Sequence, residues 1–328
     1  MGKPLQWPAL VLTAGLATRL QPLSSVRAKA ALPVAGTPLV TRILHRLRDA
    51  GIRRVVLNLH HRANSITRIV GDGSRVGLEV RYSWEADVLG SAGGPARALP
   101  LLASDRFLIV NGDTLADVDL QALAAQHVDT NALVTMAVVG ADPRYNAIAA
   151  NDAGVVTGFS NRAHGTPGTS GTAGTFHFIG IQAVNASVFA GVRPDTRSET
   201  VHGLYPPLVA GRPDGVRIFH TAAEFFDIGS PRDYLETAAT LAHREGRPLD
   251  RGSDCMVSPD ATLTNTILWD RVRIGAGAEL TDCIVADGVT VPPGARYSHS
   301  SLVMRENALI SEPFQWNPGS NSISPNSN

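Results

Sequence analysis

The sequence is very poor in lysine. Its 328 residues contain only Lys3 and Lys29, and every other long basic side chain is arginine. Lys29 is therefore either an accident of composition or a position where arginine would not do. The two side chains differ in shape, because the lysine ammonium is compact whereas the guanidinium is broad and planar.

Net charge is absent as well, since 29 basic and 29 acidic side chains cancel. This balance gives no support for a nucleic-acid or membrane-surface partner. No apolar run approaches the roughly 20 residues that span a bilayer, and the N-terminus lacks the pattern of a secretory signal. The two cysteines, Cys255 and Cys283, are too few for a disulfide framework or a metal cluster. We expect a cytoplasmic protein with reduced thiols.

What the sequence does contain, from residue 8 to about residue 139, is an alternation of short apolar runs and helical patterns. Residues 9–13, 54–59 and 107–110 have the composition of buried strands, and helical patterns separate them. This order predicts an α/β fold with a Rossmann-like, mixed but mostly parallel sheet. We place this first domain at residues 1–246.

From Val257 onward the sequence changes to a 17-residue repeat. The positions in phase are Val257, Ile274 and Val291; Ala261, Ala278 and Ala295; Leu263 and Leu280; Ile267 and Ile284; and Val272 and Val289. This period fits one coil of a left-handed parallel β-helix, in which apolar side chains stack in columns. The alternative is a meander of ordinary strands whose phases agree by chance. We predict a short β-helix over residues 252–307 and a disordered tail over 308–328.

The run from Ala9 to Val34, ALVLTAGLATRLQPLSSVRAKAALPV, joins a predicted strand to a small-residue turn. Small residues such as Gly15 let backbone N–H groups approach a phosphate. Arg19 would add a charge-assisted contact to the phosphate, for which a bidentate geometry is available to its guanidinium. Taken alone, the same run is also compatible with an ordinary turn followed by a solvated Lys29.

Two aspartates follow apolar runs further along the chain. Asn111-Gly112-Asp113 ends one predicted strand, and Asp227 follows another. In open α/β sheets ligands bind at the carboxyl ends of strands, where an aspartate can hold a divalent cation that carries phosphate oxygens. The alternative for Asp113 is that it caps the next turn.

Four motifs, in this order, resemble the nucleotidyltransferases that make nucleotide sugars from sugar 1-phosphates. They are LTAGLATRLQPLSSVRAKAALPVAGTPL from Leu12 to Leu39, LGSAGG at 89–94, NGD at 111–113 and DIGSP at 227–231. The resemblance covers residues 8 to about 245, and the repeat resembles the short left-handed β-helix of some members. It implies Mg²⁺-dependent transfer of a nucleoside monophosphate from a nucleoside triphosphate to a sugar 1-phosphate, with release of pyrophosphate.

The resemblance also implies roles for individual residues. Arg19 would face the departing pyrophosphate, Lys29 the α-phosphate, and Asp113 would complete the catalytic set. The implied nucleotide-binding residues are Leu12, Ala14, Gly15, Thr18, Arg19, Lys29, Leu89, Gly90, Ser91 and Gly93. The implied sugar-phosphate-binding residues are Arg162, Gly180 and Glu199, and the implied Mg²⁺ ligands are Asp113 and Asp227. A compact ammonium reaching one crowded phosphate oxygen would explain why position 29 is lysine.

The chain departs from the family pattern in three places. Ala17 stands where the phosphate loop usually has a second glycine, and Lys29 follows Ala28 instead of proline. Many members have Phe-x-Glu-Lys-Pro after the equivalent of Gly154, whereas this chain has FSNRA at 159–163. We infer that Arg162 takes over the task of that lysine; the alternative is a surface arginine on a loop.

Within the family, the mannose-1-phosphate guanylyltransferases are the leading expectation, because they carry a short β-helix after the catalytic domain. The N-acetylmuramate 1-phosphate uridylyltransferases are the alternative, since they lack the Glu-Lys-Pro element but typically have no β-helix. Heptose-1-phosphate guanylyltransferases are a third option. The expected nucleotide is therefore GTP or UTP.

Two other classes remain to be weighed. A non-catalytic regulatory subunit should have lost Arg19, Lys29, Asp113 or Asp227, yet all four are present. Acyl transfer normally needs a long multi-coil β-helix, whereas about three coils fit here and His299 is their only histidine. The open ends of such short coils would expose strand edges, so packing on the catalytic domain or a homo-oligomer through the β-helix is expected.

Overall fold

The computed structural model describes residues 5–160 and 174–315. In these ranges the α-helices are α1 Leu39–Asp49, α2 Ala63–Val70, α3 Gly90–Leu102, α4 Leu120–Asp129, α5 Tyr205–Gly211 and α6 Pro231–Arg244. The strands up to residue 227 are β1 Ala9–Leu12, β2 Pro33–Val34, β3 Thr37–Pro38, β4 Arg54–Leu59, β5 Glu79–Trp84, β6 Arg106–Asn111, β7 Thr114–Ala116, β8 Val134–Gly140, β9 Ala147–Ala150, β10 Val156–Ser160, β11 Gly174–Asn185, β12 Val216–His220 and β13 Phe225–Asp227. The later strands are β14 Met256–Val257, β15 Thr262–Thr264, β16 Ile267–Leu268, β17 Arg273–Ile274, β18 Glu279–Thr281, β19 Ile284–Val285, β20 Thr290–Val291, β21 Arg296–Ser298, β22 Ser300–Arg305 and β23 Ala308–Pro313.

The first of two compact units contains residues 1–16, 28–32 and 38–227, and its core is a mixed sheet. The strand order is β10-β9-β11-β6-β1-β4-β5, with β8 paired to β11 and β12 paired to β8. Strands β6, β1, β4 and β5 are parallel neighbours, whereas β11 runs antiparallel to β6, β8 and β9. The predicted α/β class with a mostly parallel central sheet is confirmed.

The central strands of this sheet are apolar along almost their whole length. Leu10, Val56 and Ile109 are each at most 2% exposed. Strands covered on both faces need this continuous pattern, because neither face meets water. The parallel pairing also brings the ends of strands together, since Leu12 lies opposite both Asn58 and Asn111.

The second compact unit contains residues 17–27, 33–37 and 228–328. Its residues 256–305, here called the ladder segment, form three parallel ladders: β14-β17-β20, β15-β18-β21 and β16-β19-β22. Consecutive strands belong to different ladders, and each strand pairs with the strand 17 residues later, as Leu263 does with Leu280. The repeat read from the sequence is thus the pairing register. This arrangement is compatible with the predicted β-helix.

The apolar positions of the middle of the repeat form the interior of the ladder segment, whereas Val257 and Leu263 in its first coil are partly buried. Ile284 and Val289 have no exposed surface, and Leu280 is 1% exposed. Beyond the repeat, β23 pairs antiparallel with β22. The tail predicted to be disordered from residue 308 therefore begins as a strand over 308–313, because apolar Leu309 and Ile310 add to the edge of the last coil. Residues 316–328 lie outside the described ranges.

Two expectations from composition concern the whole chain. Over residues 5–160 and 174–315, no helix has both the length and the apolar character needed to cross a bilayer. Both cysteines, Cys255 and Cys283, are free thiols, and Cys283 is buried.

Candidate functional site

The carboxyl ends of β1 and β6 lie side by side in the first unit. Asn111 is the register partner of Leu12, and the Gly112 amide donates a hydrogen bond of 2.9 Å to the Leu12 carbonyl. Asp113 follows directly. The chain therefore brings the turn after β1 and the turn after β6 to the same edge of the sheet, where α/β proteins bind ligands.

Lys29 and Asp113 form an ion pair. The Lys29 Nζ donates to Asp113 Oδ2 at 2.9 Å, and the Thr114 hydroxyl donates to Asp113 Oδ1 at 3.2 Å. The Lys29 side chain is 13% exposed and that of Asp113 is 40% exposed. Burial alone would raise the pKa of Asp113, but the Lys29 charge and these hydrogen bonds outweigh it, so the pKa lies below its ordinary value.

Asp227 lies opposite the residue that follows Asp113. Strand β13 pairs antiparallel with β7, and Asp227 is the register partner of Thr114, the residue after Asp113. Two carboxylates at adjacent places suit Mg²⁺, which is commonly held by one or two carboxylates, substrate phosphates and water. Among the described residues no group of three or more His, Cys, Asp or Glu could hold a metal by itself. The donor set thus fits an ion that shares its ligands with phosphates.

The turn after β1 is open at Gly15. Ala14 is 3% exposed, whereas Gly15 is exposed. A methyl group added at Gly15 would meet no atom of the described residues within 4 Å. The backbone there is accessible to an incoming group.

A buried polar network that sequence reasoning missed joins this turn to α3. The Thr13 amide donates to Asn58 Oδ1, the Asn58 amide group donates to Glu85 Oε1 at 2.7 Å, and the Leu89 amide donates to Glu85 Oε2 at 2.9 Å. Asn58 and Glu85 are only 3% and 5% exposed. Buried polar groups are costly unless paired, so the network fixes the two predicted nucleotide-binding turns together. For Asn58 the sequence signal was a polar residue near the end of an apolar strand, whereas Glu85 follows the partly exposed strand β5 and gave no such signal.

The start of α3 is packed against residues 198–200. Gly90 has φ +78°, and an added methyl group would lie 2.6 Å from the Ser198 carbonyl oxygen. Ser91 donates to Glu199 Oε2 from its amide at 3.1 Å and from its hydroxyl at 2.8 Å. The Gly93 amide also donates to the Ser198 carbonyl. Glu199, predicted for the sugar phosphate, therefore contacts the segment predicted for the nucleotide.

Gly180 lies on β11 beside the end of β6. Its φ is +79°, and an added methyl group would lie 2.9 Å from Asn111 Cβ. Glycine satisfies both the backbone conformation and the close approach. The last predicted sugar-phosphate residue, Arg162, lies outside the described residues.

Thr18 and Arg19 belong to the second unit. They start a short 3₁₀ turn, Thr18–Leu20, and both are exposed. The Arg19 guanidinium lies beside Gly229, where an added methyl group would be 3.1 Å from Nη1. Ser230 then caps α6 by accepting a hydrogen bond from the Asp233 amide. Within this unit, the Thr18-Arg19 turn thus lies beside Gly229.

Comparisons with known proteins bear on the class of protein. The family model described as nucleotidyl transferase matches residues 8–244. A mannose-1-phosphate guanylyltransferase of Mycobacterium tuberculosis is 29% identical over 303 residues, covering 88% of this chain and 82% of the relative. An N-acetylmuramate alpha-1-phosphate uridylyltransferase of Neisseria meningitidis is 44% identical over 115 residues, covering 35% of this chain and 50% of the relative.

Among solved structures, HddC from Yersinia pseudotuberculosis is similar with a TM-score of 0.59 and 23% identity, covering 72% of this chain and all of that one. That likeness concerns the fold. The class of protein follows from the α/β fold together with the family model and these relatives: it is a nucleotidyltransferase. The chain belongs to the nucleotidyl transferase family.

Proposed function

We propose that this protein transfers guanylate from GTP to mannose 1-phosphate and releases pyrophosphate. The observation that carries the proposal is the extent of the match to the Mycobacterium tuberculosis mannose-1-phosphate guanylyltransferase. A match over 88% of the chain necessarily reaches into the ladder segment, beyond the family domain at 8–244. The likeness therefore extends into the appended repeat.

The reaction needs little covalent chemistry from the protein. The sugar-phosphate oxygen attacks the α-phosphorus in line, and pyrophosphate leaves, so positioning and charge neutralisation dominate. Lys29 approaches the α-phosphate and Arg19 the departing pyrophosphate. Gly15 admits the phosphates to the backbone, and Leu89 and Gly90 pack by the base and ribose.

Asp113 and Asp227 would hold the divalent cation, which we propose to be Mg²⁺. When bound, the ion neutralises charge on the phosphate oxygens. Lys29 keeps Asp113 ionised and oriented before substrate arrives, because its ammonium donates to Oδ2 at 2.9 Å. Gly180, Glu199 and Arg162 are proposed to contact the sugar phosphate.

The test is pyrophosphate release over a matrix of GTP, UTP, dTTP, ATP and CTP with mannose, glucose, heptose and N-acetylmuramate 1-phosphates. We expect the highest kcat/KM with GTP and mannose 1-phosphate, and no release without a divalent cation. A mock preparation from cells that lack this protein is the blank for contaminating enzymes. If no pair releases pyrophosphate above this blank, a non-catalytic subunit replaces the proposal.

A second candidate has its own observation. The 44% identity over 115 residues to the Neisseria meningitidis uridylyltransferase is higher than the identity to the guanylyltransferase, although it covers less of the chain. The same matrix decides between the two. Highest kcat/KM with UTP and N-acetylmuramate 1-phosphate would favour the second.

A further inference from the structure

The ladder segment carries a pair of carboxylates one coil apart. Asp270 and Asp287 are separated by 17 residues, so the repeat stacks them, and the Asp270 amide donates to Asp287 Oδ1 at 3.0 Å. Their side chains are 32% and 17% exposed. Two carboxylates at this spacing repel each other, and partial burial reduces the screening of that repulsion. A cation beside the pair therefore stabilises it.

Arg27 supplies that cation from far away in the sequence. Its Nε donates to Asp287 Oδ2 at 2.8 Å, and its Nη2 donates to both Asp287 Oδ1 and Asp270 Oδ2 at 2.5 Å. The guanidinium also lies over the Trp269 ring, 5.1 Å from the centroid. A guanidinium that donates hydrogen bonds to two carboxylates and also stacks on an aromatic ring makes a strong arginine contact.

The same contact extends into α6. The Trp269 ring nitrogen donates to the Tyr234 hydroxyl at 3.1 Å, and that hydroxyl donates to the Pro33 carbonyl at 2.6 Å. Trp269 and Tyr234 have no exposed surface. The Arg27 guanidinium thus packs on a buried ring whose position is fixed by hydrogen bonds. This lowers the conformational entropy lost when the Arg27 side chain is ordered.

The segment that ends in Arg27 begins with Ala17 and carries Thr18 and Arg19. It belongs to the same compact unit as the ladder segment. Its middle, the helical turn Leu23–Ser25, packs against β22, and Leu23 has no exposed surface. Arg27 is the only residue of segment 17–27 for which the described contacts include an ion pair to the ladder segment.

We propose that Arg27 is a positioning residue through which the ladder segment fixes residues 17–27, and with them the phosphate-binding Thr18 and Arg19. Arg27 touches no substrate in this role. The inference rests on the proposed function for its kinetic consequence, but the anchoring itself is a property of the free protein. The appended repeat is therefore part of the nucleotide-binding apparatus.

The experiment compares Arg27→Ala with Arg296→Ala in the full chain. Arg296 is the matched control, because it also pairs with a ladder carboxylate, Glu279, at 2.9 Å, but both partners belong to the repeat. Backbone hydrogen exchange of residues 17–27 is measured without substrate. We expect at least about tenfold faster exchange in Arg27→Ala and no change in Arg296→Ala.

The kinetic arm uses the best substrate pair of the matrix. We expect Arg27→Ala to raise the KM for the nucleoside triphosphate, and the inhibition constant of pyrophosphate, by about tenfold, with the KM for the sugar 1-phosphate within about twofold. A merely structural loss would lower the active fraction and leave these constants unchanged. Arg27→Lys should restore part of the effect, because it keeps the charge but loses the fork.

If Arg27→Ala does not fold, the charge-neutral variant R27L/D270N/D287N replaces it, since it removes the carboxylate repulsion together with the anchor. Unchanged exchange over 17–27 in a folded variant would overturn the proposal, whatever the activity. If wild-type protein released no pyrophosphate, the proposed function would fail while the exchange result would still decide the anchoring.

Discussion

The central sheet and the ladder segment use polar side chains differently. In the sheet unit, the ion pair between Lys29 and Asp113 joins residues 84 positions apart and lies at the ends of strands. In the ladder segment, Arg296 pairs with Glu279 at the coil spacing of 17. The contact at the repeat spacing joins neighbouring coils of the repeat. The long-range contact instead brings together the ends of strands at the candidate site.

Arg27 makes this comparison instructive. Its contacts to Asp270 and Asp287 lie within the ladder segment, yet they span 243 and 260 residues. In sequence separation they resemble the long-range ion pair between Lys29 and Asp113, and not the contacts between neighbouring coils. Asp270 and Asp287 thus combine the repeat spacing with a contact to a segment that carries predicted phosphate-binding residues.

The largest effect should come from Asp113→Asn. Loss of the carboxylate removes both the proposed cation ligand and the partner of Lys29, so turnover should fall by about a thousandfold or more. The control is Asp117→Asn, whose side chain is 89% exposed and only loosely paired with Arg46 at 3.5 Å. Steady-state pyrophosphate release measures both. An Asp113→Asn enzyme that kept wild-type turnover would exclude the metal role.

In the ladder segment the corresponding large effect should be on stability. Leu280 is 1% exposed and stacks between Leu263 and Tyr297. Leu280→Ala should lower the free energy of unfolding by about 2–5 kcal/mol, because it leaves a cavity. Denaturant unfolding measures this, with exposed Thr281→Ala as the control. We expect kcat per folded molecule to stay unchanged; a fall in kcat would mean that the regular coils also serve the chemistry.

Lys29→Arg tests the scarcity of lysine. The substitution keeps the charge but brings a broader group into a site where the side chain is 13% exposed. We expect kcat to fall about 10- to 100-fold while nucleotide affinity changes much less. Single-turnover kinetics and equilibrium nucleotide binding separate the two. Near-normal turnover would refute the steric explanation and leave Lys29 an accident of composition.

The sequence predicts these two regions through different signals. The ladder register follows from the period alone, since Ile267 and Ile284 are in phase in the sequence and paired in the structure. The sheet class follows from alternating strands and helices, and the site's main carboxylate from its place after a strand. Apolar periodicity is local, so it can be read without knowing the tertiary contacts.

The buried polar contacts could not be predicted in the same way. Glu85 lies next to exposed Trp84 and looks like a surface residue, yet its partners Asn58 and Leu89 come from two other elements. Arg27 is one arginine among many, and its partners lie in another part of the chain. Such contacts depend on three-dimensional convergence, which leaves no period in the sequence.

Gly15→Ala is a smaller and more selective perturbation. The added methyl group would meet no described atom within 4 Å, so folding stability should stay within about 0.5 kcal/mol. A bound phosphate at that backbone would be displaced, and nucleotide affinity should fall about tenfold. Equilibrium nucleotide binding and thermal unfolding measure the two effects. Unchanged affinity would show that the phosphates do not approach Gly15.

The smallest effect concerns Ala17, the position of the missing family glycine. Its φ of 50° and ψ of 48° are left-handed, a conformation that costs a residue with a side chain roughly 1–2 kcal/mol. Ala17→Gly removes this cost but loosens the unfolded chain, so a net gain of up to about 1 kcal/mol in unfolding free energy is expected. Ala122→Gly, inside α4, is the control and should lose about 0.5–1 kcal/mol. Turnover should stay within about twofold, because glycine keeps the left-handed turn that precedes Thr18. If both variants lost stability equally, Ala17 would not adopt the left-handed conformation in solution. The segment that Arg27 fixes would then start after Ala17.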